Sequence, residues 1–285
     1  MNNQSRKLLL TLNDHTGNIA TLDLVAEFAA AIHAEIDGLF FEDKTLLDIA
    51  ALPFTREIRG HGLQPGQLEA STLEHQMRML SGAAQRELKS CAQRWKVEYS
   101  FATTETGLTH FLGSEKHIKS TLCIPHKEAG SWDRWGRPSD RANYGSAITE
   151  LLEKHPGPLM LLPKKRGSGR ELIGIIHNEK SINTVLKPIE SLVKRGHQPV
   201  IILLCEDPPE TEQLKNQLMQ KLTDRGLQAS VLCLQPPTQQ SLLQFMNQHS
   251  PKLMIVESSN PAIDHDSLNE LIESTGAPAL LLRED

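Results

Sequence analysis

Residues 147–162 and 267–282 carry one pattern twice. Shifted by 267 − 147 = 120 positions, Glu150, Leu151, Glu153, Pro158, Leu161 and Leu162 fall on identical residues. A repeat of this kind governs the reading of everything else, because each copy has to be interpreted as one structural unit. The fuller copy runs from Lys119 to Leu162. It reads as a strand (Lys119–Pro125), a polar loop with Trp132 and Trp135, a helix opening at Gly145-Ser146, and a strand Leu159–Leu162. A reduced copy runs from Lys252 to Arg283. Earlier in the chain Leu9 and Asn13 fall on Ile173 and His177, a shift of 177 − 13 = 164. The shift drops by 44 because the first copy is longer, chiefly in an insert at about 42–71 and in the loop 126–144. The 285 residues suit two domains of roughly 100–200 residues each. The boundary is expected at the basic, glycine-containing stretch Lys164–Arg170, read as a solvated linker, which gives domains 1–165 and 166–285.

Within the first copy, Lys7–Leu12 is a short, mostly apolar run stopped by Asn13-Asp14-His15-Thr16-Gly17, as expected of a strand buried on both faces. Asn18 can cap a helix in which Leu22, Val25, Phe28, Ala29 and Ile32 recur at helical spacing. A second strand follows at Glu35–Phe41. Leu46–Leu52 suggests a short amphipathic helix, and a loop then leads to a long helix over Leu73–Arg94. Strands are expected at Val97–Ala102, Ser120–Ile124 and Leu159–Leu162, with helices at Thr106–His117 and Ser146–His155. The second copy repeats this at Leu172–Ile176, Asn183–Lys194, Val200–Cys205, Glu210–Arg225, Leu227–Leu234, Gln239–Gln248, Leu253–Val256, Asp266–Ser274 and Ala279–Leu282. Strands alternating with helices predict an α/β fold of two tandem, doubly wound, parallel five-stranded sheets. The expected strand order is 3-2-1-4-5, Rossmann-like.

Composition excludes several classes of function. The formal net charge of −5 leaves no broad footprint for nucleic acid or an anionic membrane. No run approaches the ~18 apolar residues of a membrane span, and the first residues lack a signal-peptide pattern, so a cytoplasmic protein is expected. The four cysteines are far apart without CxxC, and the twelve histidines show no HxxxH or HExxH spacing, so neither a zinc site nor another metal centre is indicated. The GxSxG elbow is absent and no Ser/His/Asp set can be assembled. No enzyme is visible.

In an open parallel sheet, ligands sit beyond the carboxyl ends of the strands where the strand order reverses. That places the crevices at 13–18 and 126–146 in the first copy, and at 177–181 and 257–266 in the second. The run Gly145-Ser146-Ala147-Ile148-Thr149-Glu150-Leu151-Leu152, followed by Pro158-Leu159-Met160-Leu161-Leu162, resembles the universal stress proteins. Gly38-Leu39-Phe40-Phe41-Glu42-Asp43, with Leu52-Pro53-Phe54-Thr55-Arg56-Glu57, looks like tandem bacterial members. The resemblance implies two fused copies of that fold, of the adenine nucleotide alpha hydrolase-like type.

ATP-binding members carry glycine, two residues, glycine, nine residues, then Gly-Ser or Gly-Thr, whose backbone N–H groups hold phosphate at a helix start. Gly145-Ser146 matches the end of that motif. The two earlier glycine positions fall on Trp135 and Trp132, with Gly136 one place and Gly130 two places out of register. The family's aspartate after strand one falls on Asn13, with Asp14 beside it. The implied nucleotide-site residues are therefore Asn13, Asp14, Gly136, Gly145 and Ser146. In the second copy Gly145-Ser146 maps onto His265-Asp266, and an anionic side chain there repels phosphate. Trp132 and Trp135 either fold their loop over the crevice or stack a base or partner.

Three readings stand. The first is a non-catalytic protein of stress response or signalling, with a degenerate nucleotide crevice in unit one that takes an adenine nucleotide or other small molecule, and with a protein partner. The second is an ATP-binding unit one, with slow hydrolysis. The third is a structural, partner-binding scaffold. The two units are expected to pack about a pseudo-twofold axis along the apolar strands Leu159–Leu162 and Ala279–Leu282, in a monomer or a homodimer.

Overall fold

Strand β1 (Arg6–Leu12) is buried at every position from Leu8 to Leu12, so both of its faces must be covered. The computed structural model describes residues 6–12, 19–42, 48–49, 52, 56–57, 66–67, 70–104, 120–125, 144–163, 169–194, 196–204, 208–249, 251–261 and 263–283. Helix α1 (Ile19–Ile32) and β2 (Ala34–Phe41) complete a βαβ crossover. A short antiparallel ribbon, β3 (Arg56–Glu57) with β4 (Gly66–Gln67), lies in the insert where sequence suggested only loop. Helix α2 (Ala70–Trp95), β5 (Tyr99–Thr104), β6 (Thr121–Pro125), α3 (Tyr144–Lys154) and β7 (Leu159–Leu162) follow. The second set is β8 (Glu171–Ile176), α4 (Glu179–Val193), β9 (Gln198–Leu203), α5 (Pro208–Asp224), β10 (Ser230–Cys233), α6 (Gln239–His249), β11 (Pro251–Glu257), α7 (His265–Thr275) and β12 (Ala279–Leu282). The helix expected over 106–117 lies outside the described residues, as does most of the one over 46–52.

All the strands but the ribbon join one ten-stranded sheet, β10-β9-β8-β11-β12-β7-β6-β1-β2-β5. Each half has the order 3-2-1-4-5 and is parallel throughout. The halves meet at one antiparallel pairing, with Ala279, Leu280 and Leu281 opposite Leu161, Met160 and Leu159. The two expected sheets therefore merge into one, because each of these apolar strands covers the other's open edge. The 120-residue shift carries β7 onto β12 end for end. The 164-residue shift carries Ala34, the start of β2, onto Gln198, the start of β9.

Side chains alternate between two buried layers. Leu8, Leu10 and Leu12 face α1, α2, α4 and α5, in a layer that continues through Leu280 and Leu282 into the second half. Leu9, Leu122, Ile124, Leu159 and Leu161 face the other way, with Ile148 of α3, Leu242 and Met246 of α6 and Leu268 of α7. A sheet sandwiched between helices on both faces accounts for the near-continuous apolar strands.

Three element boundaries differ from the sequence reading for local reasons. Helix α4 begins at Glu179 rather than Asn183 because Asn178 and Ser181 form a capping box. Strand β5 begins at Tyr99 rather than Val97. Lys96 takes φ +57° and the Val97 N–H donates to the Ala92 carbonyl, so both residues close α2. Strand β10 starts late in the same way: Gly226 takes φ +63° and the Leu227 N–H donates to the Leu222 carbonyl.

Candidate functional site

Each half-sheet has a crevice where its strand order reverses: between β1 and β6 in the first half, and between β8 and β11 in the second. In the first, the Thr11 hydroxyl donates to the Cys123 carbonyl at 3.2 Å and ties the two strands together near their carboxyl ends. Burial pushes the Cys123 thiol far above its ordinary range, so it is a packing group and not a nucleophile. Of the residues that the motif implied, Gly145 and Ser146 are the second and third residues of α3. They lie in a first helical turn, where backbone N–H groups have no intrahelical acceptor. Asn13, Asp14 and Gly136 lie outside the described residues, as do Trp132 and Trp135.

His177 directly follows β8, and Glu257 is the last residue of β11. Because β8 and β11 are neighbours, the imidazole Nδ1 and the carboxylate Oε2 approach to 3.7 Å, with side chains 11% and 0% exposed. The Asn178 amide contacts His177 Nε2 at 2.7 Å. Asn178 also accepts from the Ser181 N–H at 2.8 Å, and Ser181 Oγ accepts from the backbone N–H groups of His177 and Asn178. The Asn178 side chain thus takes up the Ser181 N–H in the first turn of α4.

Helix α7 is closed in the same manner. Its N-cap Asp264 accepts from the Ser267 N–H at 2.7 Å, and Asp266 lies in its first turn. Carboxylates favour a helix N-terminus for the same reason that phosphate does. Here Asp264 occupies that place, Asp266 lies in the same helical turn, and the buried Glu257 ends the preceding strand. Sequence reading placed both His177 and Glu257 in the crevice segments but did not pair them. The one signal for the pair was a carboxylate directly after the apolar run Leu253–Val256, a position that strand pairing turns towards His177. Among the described residues no group of three or more His, Cys, Asp or Glu could hold a metal ion. No described helix is long and apolar enough to cross a membrane.

No family model matches the chain, and neither does any curated protein. Solved structures do. A universal stress protein from Archaeoglobus fulgidus is 14% identical, with a TM-score of 0.61, over 99% of this chain and 100% of the other. The fold is that of the universal stress proteins. The cytoplasmic domain of a prokaryotic cation chloride cotransporter is similar to this chain at 16% identity and a TM-score of 0.57, over 98% of this chain and 95% of the other. A protein of unknown function from Pseudomonas aeruginosa is similar at 10% identity and a TM-score of 0.56, over 99% and 94%.

Proposed function

We propose that the chain is a non-catalytic, cytoplasmic protein of the universal stress type, acting in stress response or signalling through a crevice that has lost tight nucleotide binding. Residues 1–165 and 166–285 form two fused units, paired edge to edge as an internal pseudo-dimer. The observation that carries this reading is that Asp264 caps α7 and Asp266 lies in its first turn, the helix start at which the ATP-binding motif would hold phosphate. A like charge there repels a nucleotide's phosphates, and the α4 start is already capped.

A second reading keeps ATP in unit one, with slow hydrolysis, and rests on Gly145 and Ser146 in the first turn of α3. One experiment separates the two. Mass spectrometry of freshly purified, denatured protein detects any nucleotide carried through purification, and a thermal-shift titration with ATP and magnesium detects binding. A bound nucleotide at a hundredfold excess over its dissociation constant stabilises the native state by about 2.7 kcal/mol. We expect neither carried nucleotide nor shift. A shift that Gly145→Asp abolishes overturns the degenerate-crevice reading in favour of ATP in unit one.

A further inference from the structure

Strand β10 ends the ten-stranded sheet, and no described strand pairs with its outer side. Its bonding to β9 fixes which backbone groups point outward. The Leu234 N–H donates to the Leu203 carbonyl at 3.2 Å, and along a ladder alternate residues bond to opposite sides. Leu232 therefore turns its N–H and carbonyl towards β9, while Val231 and Cys233 turn theirs outward. The side chains of Leu232 and Cys233 are exposed. From Gly226 to Gln248 there is no Asp, Glu, Lys, Arg or His, in a chain that is 23% charged. That run holds β10, the Pro236-Pro237 loop and all of α6 but its last residue. Natural edge strands are usually guarded by charge, whereas the cores of protein interfaces are depleted of it.

The opposite edge of the sheet is guarded. Glu98 precedes β5, the Ser100 hydroxyl donates to Asp37 at 2.8 Å, and Glu35 lies beside them on β2. Two copies meeting there would set carboxylates against carboxylates. With one edge guarded and the other bare, pairing through β10 closes at two copies instead of growing into a filament. The chain already makes one contact of this kind, since β7 and β12 join antiparallel through short strands without a charged residue.

We propose that β10 is a self-association edge, through which two copies of the chain pair antiparallel about a twofold axis. Two ten-stranded sheets then become one of 2 × 10 = 20 strands. The outward groups dictate the register. Val231 of each copy exchanges both backbone bonds with Cys233 of the other, and Leu232 meets Leu232 at the axis. That central pair is of the non-hydrogen-bonded kind, in which side chains approach most closely. Pro236 and Pro237 stop the ladder beyond Gln235. The contact is small, and a dissociation constant on the order of 10⁻⁴ M is expected. The internal seam is stronger, because there α1 also meets α4 and α3 meets α7. Nothing in this pairing depends on the nucleotide crevices.

The test is sedimentation equilibrium of the intact, reduced protein up to roughly 1 mM, ten times the expected dissociation constant. A monomer–dimer equilibrium with no larger species is expected. Leu232→Lys alters an exposed residue, sets two ammonium groups against each other at the axis, and should weaken the dimer tenfold or more. Ala102→Lys puts the same charge at an exposed position of β5 and should leave the dimer unchanged. Circular dichroism checks that both variants fold. Hydrogen exchange of the unaltered protein gives a reading that needs no variant: residues 230–234 should exchange roughly threefold more slowly at the highest concentration than in dilute solution, and residues 99–104 equally fast in both. A chain that is monomeric throughout overturns the proposal, as does open-ended growth with concentration. So does a dimer that Leu232→Lys leaves intact or Ala102→Lys breaks, and so does exchange at 230–234 that is blind to concentration.

Discussion

Glu27 and Lys252 are 225 residues apart in sequence and joined by an ion pair at the junction of the two half-sheets. Glu27 lies on α1 and is 9% exposed at its side chain, Lys252 lies on β11 at 15%, and His197 at 12% completes the cluster. Removing one partner of a buried pair strands the other charge, which costs about 3–5 kcal/mol. Glu27→Gln keeps the shape and removes the charge, so a loss of about 3 kcal/mol is expected in urea denaturation. The triple variant Glu27→Leu, His197→Phe, Lys252→Met removes every charge together and should recover most of that loss. If the single change moves the urea midpoint no more than an exposed substitution does, the cluster does not hold the halves together.

His177 and Glu257 are brought together only by the pairing of β8 with β11. Their interaction is expected to show as a coupling of roughly 1–3 kcal/mol in a double-mutant cycle of His177→Ala and Glu257→Gln. The cycle is read from the urea unfolding of four proteins. Additive effects within about 0.3 kcal/mol would mean that the two side chains are neighbours without being partners.

Gly157 and Gly174 are both confined, but by different neighbours. A Cβ on Gly157 would lie 2.3 Å from the Ser120 carbonyl oxygen and 2.8 Å from His155 Nε2, and those two groups are themselves bonded at 2.8 Å. Backbone and a buried, bonded ring cannot step aside. A Cβ on Gly174 would meet Ile189 Cδ1 and Val185 Cγ1 at 2.7 and 2.8 Å, so side-chain atoms and not backbone must give way. Gly157→Ala should therefore lose about 2–3 kcal/mol, and Gly174→Ala distinctly less. Equal melting temperatures for the two variants would contradict this ranking.

Much of this fold is legible before any coordinates, because the repeat and the apolar runs both encode it. Leu159–Leu162 and Ala279–Leu282 are unmistakable as strands, and their lack of polar residues already demands a partner at each edge. The starts of β5 and β10 are not legible, since the αL-type closures at Lys96 and Gly226 consume residues that read as strand. The candidate site divides in the same way. Gly145 and Ser146 at a helix start follow from a local motif, and the structure places them there. The partnership of Glu257 with His177, and that of Glu27 with Lys252, depends on strand order and on the meeting of the halves. No spacing rule in a single sequence brings such residues together.

The seam itself is open to direct test. Strand β12 has β11 on one side and β7 on the other, so every backbone N–H from Ala279 to Leu281 faces a neighbouring strand. A proline in the middle of such a strand removes a ladder hydrogen bond whichever way that N–H points. If residues 1–165 and 166–285 are units in their own right, each made alone exposes an apolar edge, Leu159–Leu162 or Ala279–Leu282, that its other half normally covers. Co-expressed as separate chains, they should associate one to one and elute together in size-exclusion chromatography. Each alone should self-associate through the same edge. Leu280→Pro in the second chain should abolish both kinds of association. Met79→Ser, at an exposed position of α2 far from the seam, should affect neither. Two chains that stay monomeric and separate when mixed would show that the seam forms only because the linker holds the halves together.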